Sequence, residues 1–157
     1  MNILTRTETA DFLKANDRYL ILTHTRPDGD TVGSAAALCL GLRAMGKTAH
    51  VLENKEVTPR YRWLHQGLTV GEAAPGDCIV SVDVASPNML PEDFQPLLGR
   101  IRLRVDHHGS ATSFTDFELV DPDSASCAEI IYDLLTLLGC PLDQKIAEAV
   151  YVGASTD

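Results

Sequence analysis

Three apolar, strand-like runs in this chain each end on a side chain that binds metals or moves protons, and helical segments separate them. Residues 19–23 lead into His24, Cys78–Val82 leads into Asp83, and residues 101–105 lead into Asp106-His107-His108-Gly109. Strands alternating with helices imply βαβ units, so the expected architecture is an α/β fold: a doubly wound, mostly parallel sheet flanked by helices. In such sheets ligands gather in the crevice outside the carboxyl ends of the strands. The three exits are therefore expected to meet at one end of the sheet.

The remaining elements are consistent with that plan. Residues 7–16 are expected to form an amphipathic helix capped by Thr7, with Phe12 and Leu13 on its apolar face. The Ala- and Leu-rich stretch 31–45 predicts a longer helix stopped by Gly46. A strand is expected at 48–52, a helix at 125–138 ended by Gly139, and another at 143–151, while Val152-Gly153 is too short to assign alone. At 157 residues, without repeats or low-complexity segments, the chain suits one domain with a real core.

Composition excludes some classes of function. A formal net charge of −9 argues against a surface that tracks duplex DNA, which is driven by Lys and Arg displacing counterions. It leaves room for a short anionic substrate, because bound divalent cations would reverse the local sign. No apolar run reaches the roughly 20 residues that span a membrane, and the N-terminus lacks a signal-peptide core, so a cytoplasmic location is expected. Cys39, Cys78, Cys127 and Cys140 show no paired spacing and read as reduced core thiols. Dinucleotide and phosphate-loop glycine motifs are absent, and Ser34 has no evident His–Asp relay.

The polar clusters carry the chemistry. In His24-Thr25-Arg26-Pro27-Asp28-Gly29-Asp30, glycine lets the chain bend sharply and aim both carboxylates inward. The bland alternative, that Asp30 simply caps the helix after it, leaves His24 and Asp28 unexplained. For Asp106-His107-His108 the bland alternative is a strand exit whose imidazoles satisfy backbone carbonyls. Neighbouring residues leaving a strand point to opposite sides, so one His can hold a metal while the other faces substrate or a carboxylate, with Asp106 orienting an imidazole. A carboxylate such as Asp83 suits the bridge that a two-metal site needs. His50 and His65 lack clustered partners and read as structural or exposed, and Tyr61 and Trp63 as packing rather than base-stacking residues.

Taken together, these motifs resemble those of the DHH phosphoesterase family. The segment from His24 to Ser34 is similar to its first motif, Asp83 to its second, Asp106-His107-His108 to the motif that names it, and Asp157, in Gly153-Ala154-Ser155-Thr156-Asp157, to the aspartate of the fourth. The stretch from Asp121 to Tyr132, together with Gly29, most resembles the branch that degrades very short RNAs and dephosphorylates 3′-phosphoadenosine 5′-phosphate. The resemblance implies that His24 and Asp28 hold one Mn²⁺, that Asp30, His107 and Asp157 hold the other, and that Asp83 bridges them. Mg²⁺ or Co²⁺ are the alternatives to Mn²⁺. It further implies that His108 contacts the scissile phosphate with Asp106 behind it, and that a hydroxide activated by both metals attacks phosphorus. The expected partner is a short single-stranded oligonucleotide or nucleotide, without duplex DNA or membrane, and a homodimer is left open. Other activities of the family remain alternatives: single-strand exonuclease, cyclic-dinucleotide phosphodiesterase and inorganic pyrophosphatase. So does a non-catalytic metal-binding module, because family members carry a second, substrate-gripping C-terminal lobe. The expectation is that residues 1–157 form the catalytic lobe alone, and that Asp157, at a fraying terminus, binds its metal weakly.

Overall fold

A computed structural model of the protein describes residues 2–109 and 112–156. Its elements run β1 (Asn2–Ile3), α1 (Arg6–Ala15), β2 (Tyr19–Leu22), α2 (Gly29–Ala44), β3 (Ala49–Leu52), α3 (Pro59–Arg62), β4 (Thr69–Val70), β5 (Cys78–Val82), β6 (Ile101–Asp106), β7 (Phe117–Val120), α4 (Cys127–Leu137) and α5 (Gln144–Ser155). Short 3₁₀ segments cover Trp63–His65, Pro87–Met89 and Glu92–Arg100. All seven strands pair in parallel in the order β1-β7-β6-β5-β2-β3-β4, so the α/β expectation holds and the sheet is wholly parallel. From β2 the chain moves to β3 on one side, then returns to place β5 on the other. The point where strand order reverses therefore lies between β2 and β5, the place where parallel sheets open a crevice.

Alternation along the strands feeds two cores. Tyr19, Ile21, Val80 and Val82 face a layer built from α1, α2, α4 and α5, whereas Leu20, Leu22 and Ile79 face Phe94 of the last 3₁₀ segment and Leu90, just after the one before it. Helix α2 is buried over most of its length, because its small residues let α4 and α5 approach closely. Gly33 is the clearest case: a Cβ there would lie 2.5 Å from the Ala149 carbonyl of α5.

Several local expectations change. Thr5, not Thr7, caps α1, in a reciprocal capping box with Glu8. Helix α2 starts two residues before the expected position because Asp28 is its cap, accepting the Thr31 amide at 3.0 Å; Asp30 lies inside the first turn. Val152 and Gly153 belong to α5, which runs on to Ser155. Trp63 is 51% exposed rather than packed, its Nε1–H donating to the Arg60 carbonyl, while Tyr61 packs partly against the core. Strands β1, β4 and β7 were not expected. All four cysteines are free and buried. No helix among the described residues is long and apolar enough to cross a membrane.

Candidate metal centre

The three central strands deliver the site. Asp83 follows β5 with φ of +63°, a left-handed backbone that Asp tolerates better than most residues. This turn drops its carboxylate, 1% exposed, between the exits of β2 and β6. His24 Nε2 lies 3.5 Å from Asp83 Oδ2 and 3.5 Å from Asp28 Oδ1. Across the crevice, His107 Nε2 lies 3.4 Å from Asp83 Oδ1 and 3.5 Å from Asp30 Oδ2. His24, Asp28 and Asp83 each offer a ligand atom within 4.8 Å of the others, and so do Asp83, His107 and His108. Asp83 is common to both groups.

Each side chain is held from behind. His24 Nδ1 donates to the Thr25 carbonyl at 2.6 Å, which leaves Nε2 to face the carboxylates. The Asn54 amide nitrogen donates to Thr23 Oγ1 and to the His24 carbonyl, steadying that strand exit. Asp30 accepts the Cys127 and Ala128 amides, both at 2.9 Å, so the open N-terminus of α4 grips its carboxylate. Asp106 Oδ1 accepts the His107 amide at 2.8 Å and faces His108 Nδ1 at 2.7 Å, while its Oδ2 accepts from Arg104 at 3.1 Å. The sequence left open which imidazole Asp106 orients; the structure puts His108 against it. His108 Nδ1 is 3.7 Å from Asp83 Oδ1.

Electrostatics follow from burial. Desolvation disfavours the His24 imidazolium, yet hydrogen bonds to Asp28 and Asp83 outweigh it and push its pKa up to about 10. Burial raises the Asp83 carboxyl, His24 pulls it down, and the charges of Asp28 and Asp106 push it up again. Asp28 ends below the ordinary carboxylate range: burial raises it, but His24 and the Thr31 amide prevail. Carboxylates gathered this closely require positive charge, and His24 takes up a proton to supply it. The buried Asp83 Oδ1 accepts no hydrogen bond, which ordinarily costs on the order of 1–3 kcal/mol. A divalent cation would satisfy it, and a mixed set of carboxylate and imidazole donors is one that divalent transition metals take. The residues therefore fit a metal site.

Of the residues expected from sequence, His24, Asp28, Asp30, Asp83, Asp106, His107 and His108 converge here. Asp157 lies outside the described residues; Thr156, just before it, packs against Gly29, where a Cβ would sit 2.1 Å from Thr156 Oγ1. His65 is buried and structural, its Nε2 donating to the Val32 carbonyl at 3.0 Å. The α4 amides and Arg104 were missed. The signal for Arg104 was a charge between Leu103 and Val105 in an apolar run, which in a buried strand implies a buried partner. Two open clefts, of about 720 and 930 Å³, flank Trp63, and neither is lined by His24, Asp28, Asp83 or the 106–108 triplet.

Comparison with known proteins matches residues 18–154 to the DHH family, N-terminal domain. The bifunctional oligoribonuclease and PAP phosphatase NrnA of Thermus thermophilus is 33% identical over 151 residues, 94% of this chain and 46% of that protein. The chain spans about half the length of the curated relatives it matches. Among solved structures, an exopolyphosphatase-related protein from Bacteroides fragilis superposes with a TM-score of 0.72 at 21% identity, over 94% of this chain and 48% of that one. The exonuclease RecJ bound to manganese superposes at 0.61 with 19% identity, over 99% and 43%. The two superpositions establish a shared fold, and the match across residues 18–154 shows more: this chain belongs to the DHH family.

Proposed function

We propose that the chain is the metal-binding lobe of a phosphoesterase that hydrolyses short oligoribonucleotides and 3′-phosphoadenosine 5′-phosphate with two divalent cations, Mn²⁺ first among them. The observation that carries this reading is Asp83: one buried carboxylate shared by two ligand groups, with an oxygen that accepts no hydrogen bond. His24 and Asp28 would hold one cation, and Asp30, His107 and Asp157 the other, with Asp83 between them. When bound, two such ions supply an activated water and stabilise the charge that builds on phosphorus. The names of the relatives support the substrate class, and manganese in the RecJ structure supports the metal.

The chain's own groups do the rest. His24 gives up its proton to serve as a ligand, since cations displace protons from imidazole. The α4 amides hold the Asp30 carboxylate in place, with Oδ2 3.5 Å from His107 Nε2. His108 keeps Nδ1 on Asp106, which leaves Nε2 at the far edge of a side chain that is 45% exposed. From there it would contact the scissile phosphate. Contacts to the remainder of an oligonucleotide belong to a second lobe in this proposal, as the length of the relatives supports.

Calorimetric titration with Mn²⁺ tests the metal arrangement: about two ions are expected in the wild type and none in Asp83→Ala. Retention of both ions in that variant refutes the bridge. For the activity, the chain is fused to the remaining half of the Thermus thermophilus relative and assayed with Mn²⁺ on diribonucleotides and 3′-phosphoadenosine 5′-phosphate. Cleavage of neither substrate refutes the assignment.

A further inference from the structure

Arg104 is the largest fully buried side chain in the structure's core, 1% exposed in the middle of β6. A guanidinium has five N–H donors in a fixed plane, and here each has an acceptor. Nε donates to the Val84 carbonyl at 3.0 Å, Nη1 to the Thr112 carbonyl at 3.1 Å and Glu118 Oε1 at 3.3 Å, and Nη2 to the Ala85 carbonyl at 3.2 Å and Asp106 Oδ2 at 3.1 Å. The Phe114 ring lies against its face, with 5.0 Å from Cζ to the ring centroid. The group thus ties together the turn after Asp83, the loop after His108, strand β7 and the carboxylate of Asp106. Glu118 in turn accepts the Phe114 amide and the Thr115 hydroxyl, so the far side of the clamp is itself anchored.

Fold stability alone gives a weak account of this arrangement, because a buried ion network is often no more stabilising than apolar packing of the same volume. Its geometric consequence is specific. Asp106 Oδ2 is committed to Arg104, so Oδ1 is turned toward the His107 amide and His108 Nδ1. A carboxylate held by a guanidinium and an amide can only accept, so His108 must carry a proton on Nδ1, the tautomer that a free imidazole side chain disfavours.

We propose that Arg104 is a positioning residue that acts through Asp106 to fix the orientation and tautomer of His108. Lysine would preserve the charge without the fork, having three donors on a point-like ammonium. Methionine would leave Asp106 and Glu118 buried without a counter-charge. In both variants Asp106 is released to rotate, and the ring of His108 relaxes to the Nε2–H form. The kinetic part of the proposal rests on the phosphoesterase reading above; the structural part does not.

The test is long-range ¹H–¹⁵N NMR of the metal-free chain, recorded on the neutral ring of His108, for wild type, Arg104→Lys and Arg104→Met. Thermal melting verifies that each variant is folded, and Arg104→Lys is the variant expected to survive if Arg104→Met does not. Wild type is expected to show the proton on Nδ1 and the variants to show it wholly or partly on Nε2. An unchanged Nδ1–H form in a folded variant overturns the proposal, whatever the chain hydrolyses. A second arm assays the fusion described above on bis(p-nitrophenyl) phosphate with Mn²⁺. Arg104→Lys is expected to lower kcat roughly 10–100-fold with KM little changed, and to cause no further loss in a His108→Ala background. Equal loss in both backgrounds assigns Arg104 a purely structural role and overturns the proposal. If no variant hydrolyses the ester but the tautomer shifts, the positioning role stands and the phosphoesterase reading is what fails.

Discussion

Replacing Gly33 by alanine sets local preference against packing. Alanine is the better helix former in the interior of α2, by about 0.8–1.0 kcal/mol, so helix propensity alone forecasts a more stable protein. The structure forecasts the opposite. The new Cβ would lie 2.5 Å from the Ala149 carbonyl oxygen, 3.0 Å from the Gly153 nitrogen and 3.2 Å from its Cα, all backbone atoms of α5 that have no rotamer to change. Restoring an ordinary contact of 3.4 Å requires α5 to retreat by about 0.9 Å. Overpacking of this kind costs about 1–3 kcal/mol, and a 2.5 Å approach to unyielding backbone belongs in the upper part of that range, about 2–3 kcal/mol. After the propensity gain the net loss is about 1–2 kcal/mol, which at this chain length lowers Tm by about 2–8 °C. The retreat also draws Thr156 away from Gly29, between Asp28 and Asp30, so weaker Mn²⁺ binding accompanies the lower Tm. The assay is thermal unfolding by circular dichroism with and without Mn²⁺. Gly99→Ala, whose Cβ would meet nothing within 4 Å, is the control and leaves Tm unchanged or raised. A Gly33→Ala protein that melts at or above the wild type refutes the packing argument.

Three further outcomes are expected. Mn²⁺ at 100 times its dissociation constant stabilises the wild type by about 2.7 kcal/mol, and excess chelator reverses the shift; a Tm indifferent to Mn²⁺ contradicts the fit of the site. Ser126 caps α4 by accepting the Glu129 amide at 3.1 Å, so Ser126→Ala costs about 1 kcal/mol, read as a lower urea midpoint at constant slope. Burial holds His65 below the ordinary imidazole value of 6.5, against the opposing pull of the Val32 carbonyl. The unfolded chain therefore takes up this proton first, and the stability His65 contributes is present above that value and lost as pH falls below it. Replacing His65 by Gln should flatten the fall in Tm between neutral pH and pH 5; an equally steep fall assigns the acid sensitivity to other groups.

The part of the site that was legible in the sequence is the part set by strand exits. His24, Asp83 and the Asp106 triplet follow apolar runs, and a parallel sheet brings those exits together whatever the loops do. What was missed depends on partners far away in sequence. The grip of Cys127 and Ala128 on Asp30 spans about a hundred residues, and nothing in either segment announces it. Arg104 and Glu118 each look like polarity that weakens a strand, and β7 escaped notice partly because Glu118 interrupts it; together they are one buried pair. The exchange of roles between Asp28 and Asp30 has a similar origin. Two carboxylates separated by one glycine both suit a helix start, and only the actual first turn shows that Asp28 caps while Asp30 is gripped by another helix. Strands β1 and β4, at two residues each, lie at the sheet edges, too short to leave an alternating pattern.

Anomalous diffraction at the manganese edge, from crystals grown with Mn²⁺, reads out whether Asp83 lies between two cations as proposed. Two peaks are expected roughly 3.5–4 Å apart, one beside His24 and Asp28 and one beside Asp30 and His107, with the Asp83 carboxylate within reach of both. A map without a peak at Asp83, or with manganese held by other residues, contradicts that placement.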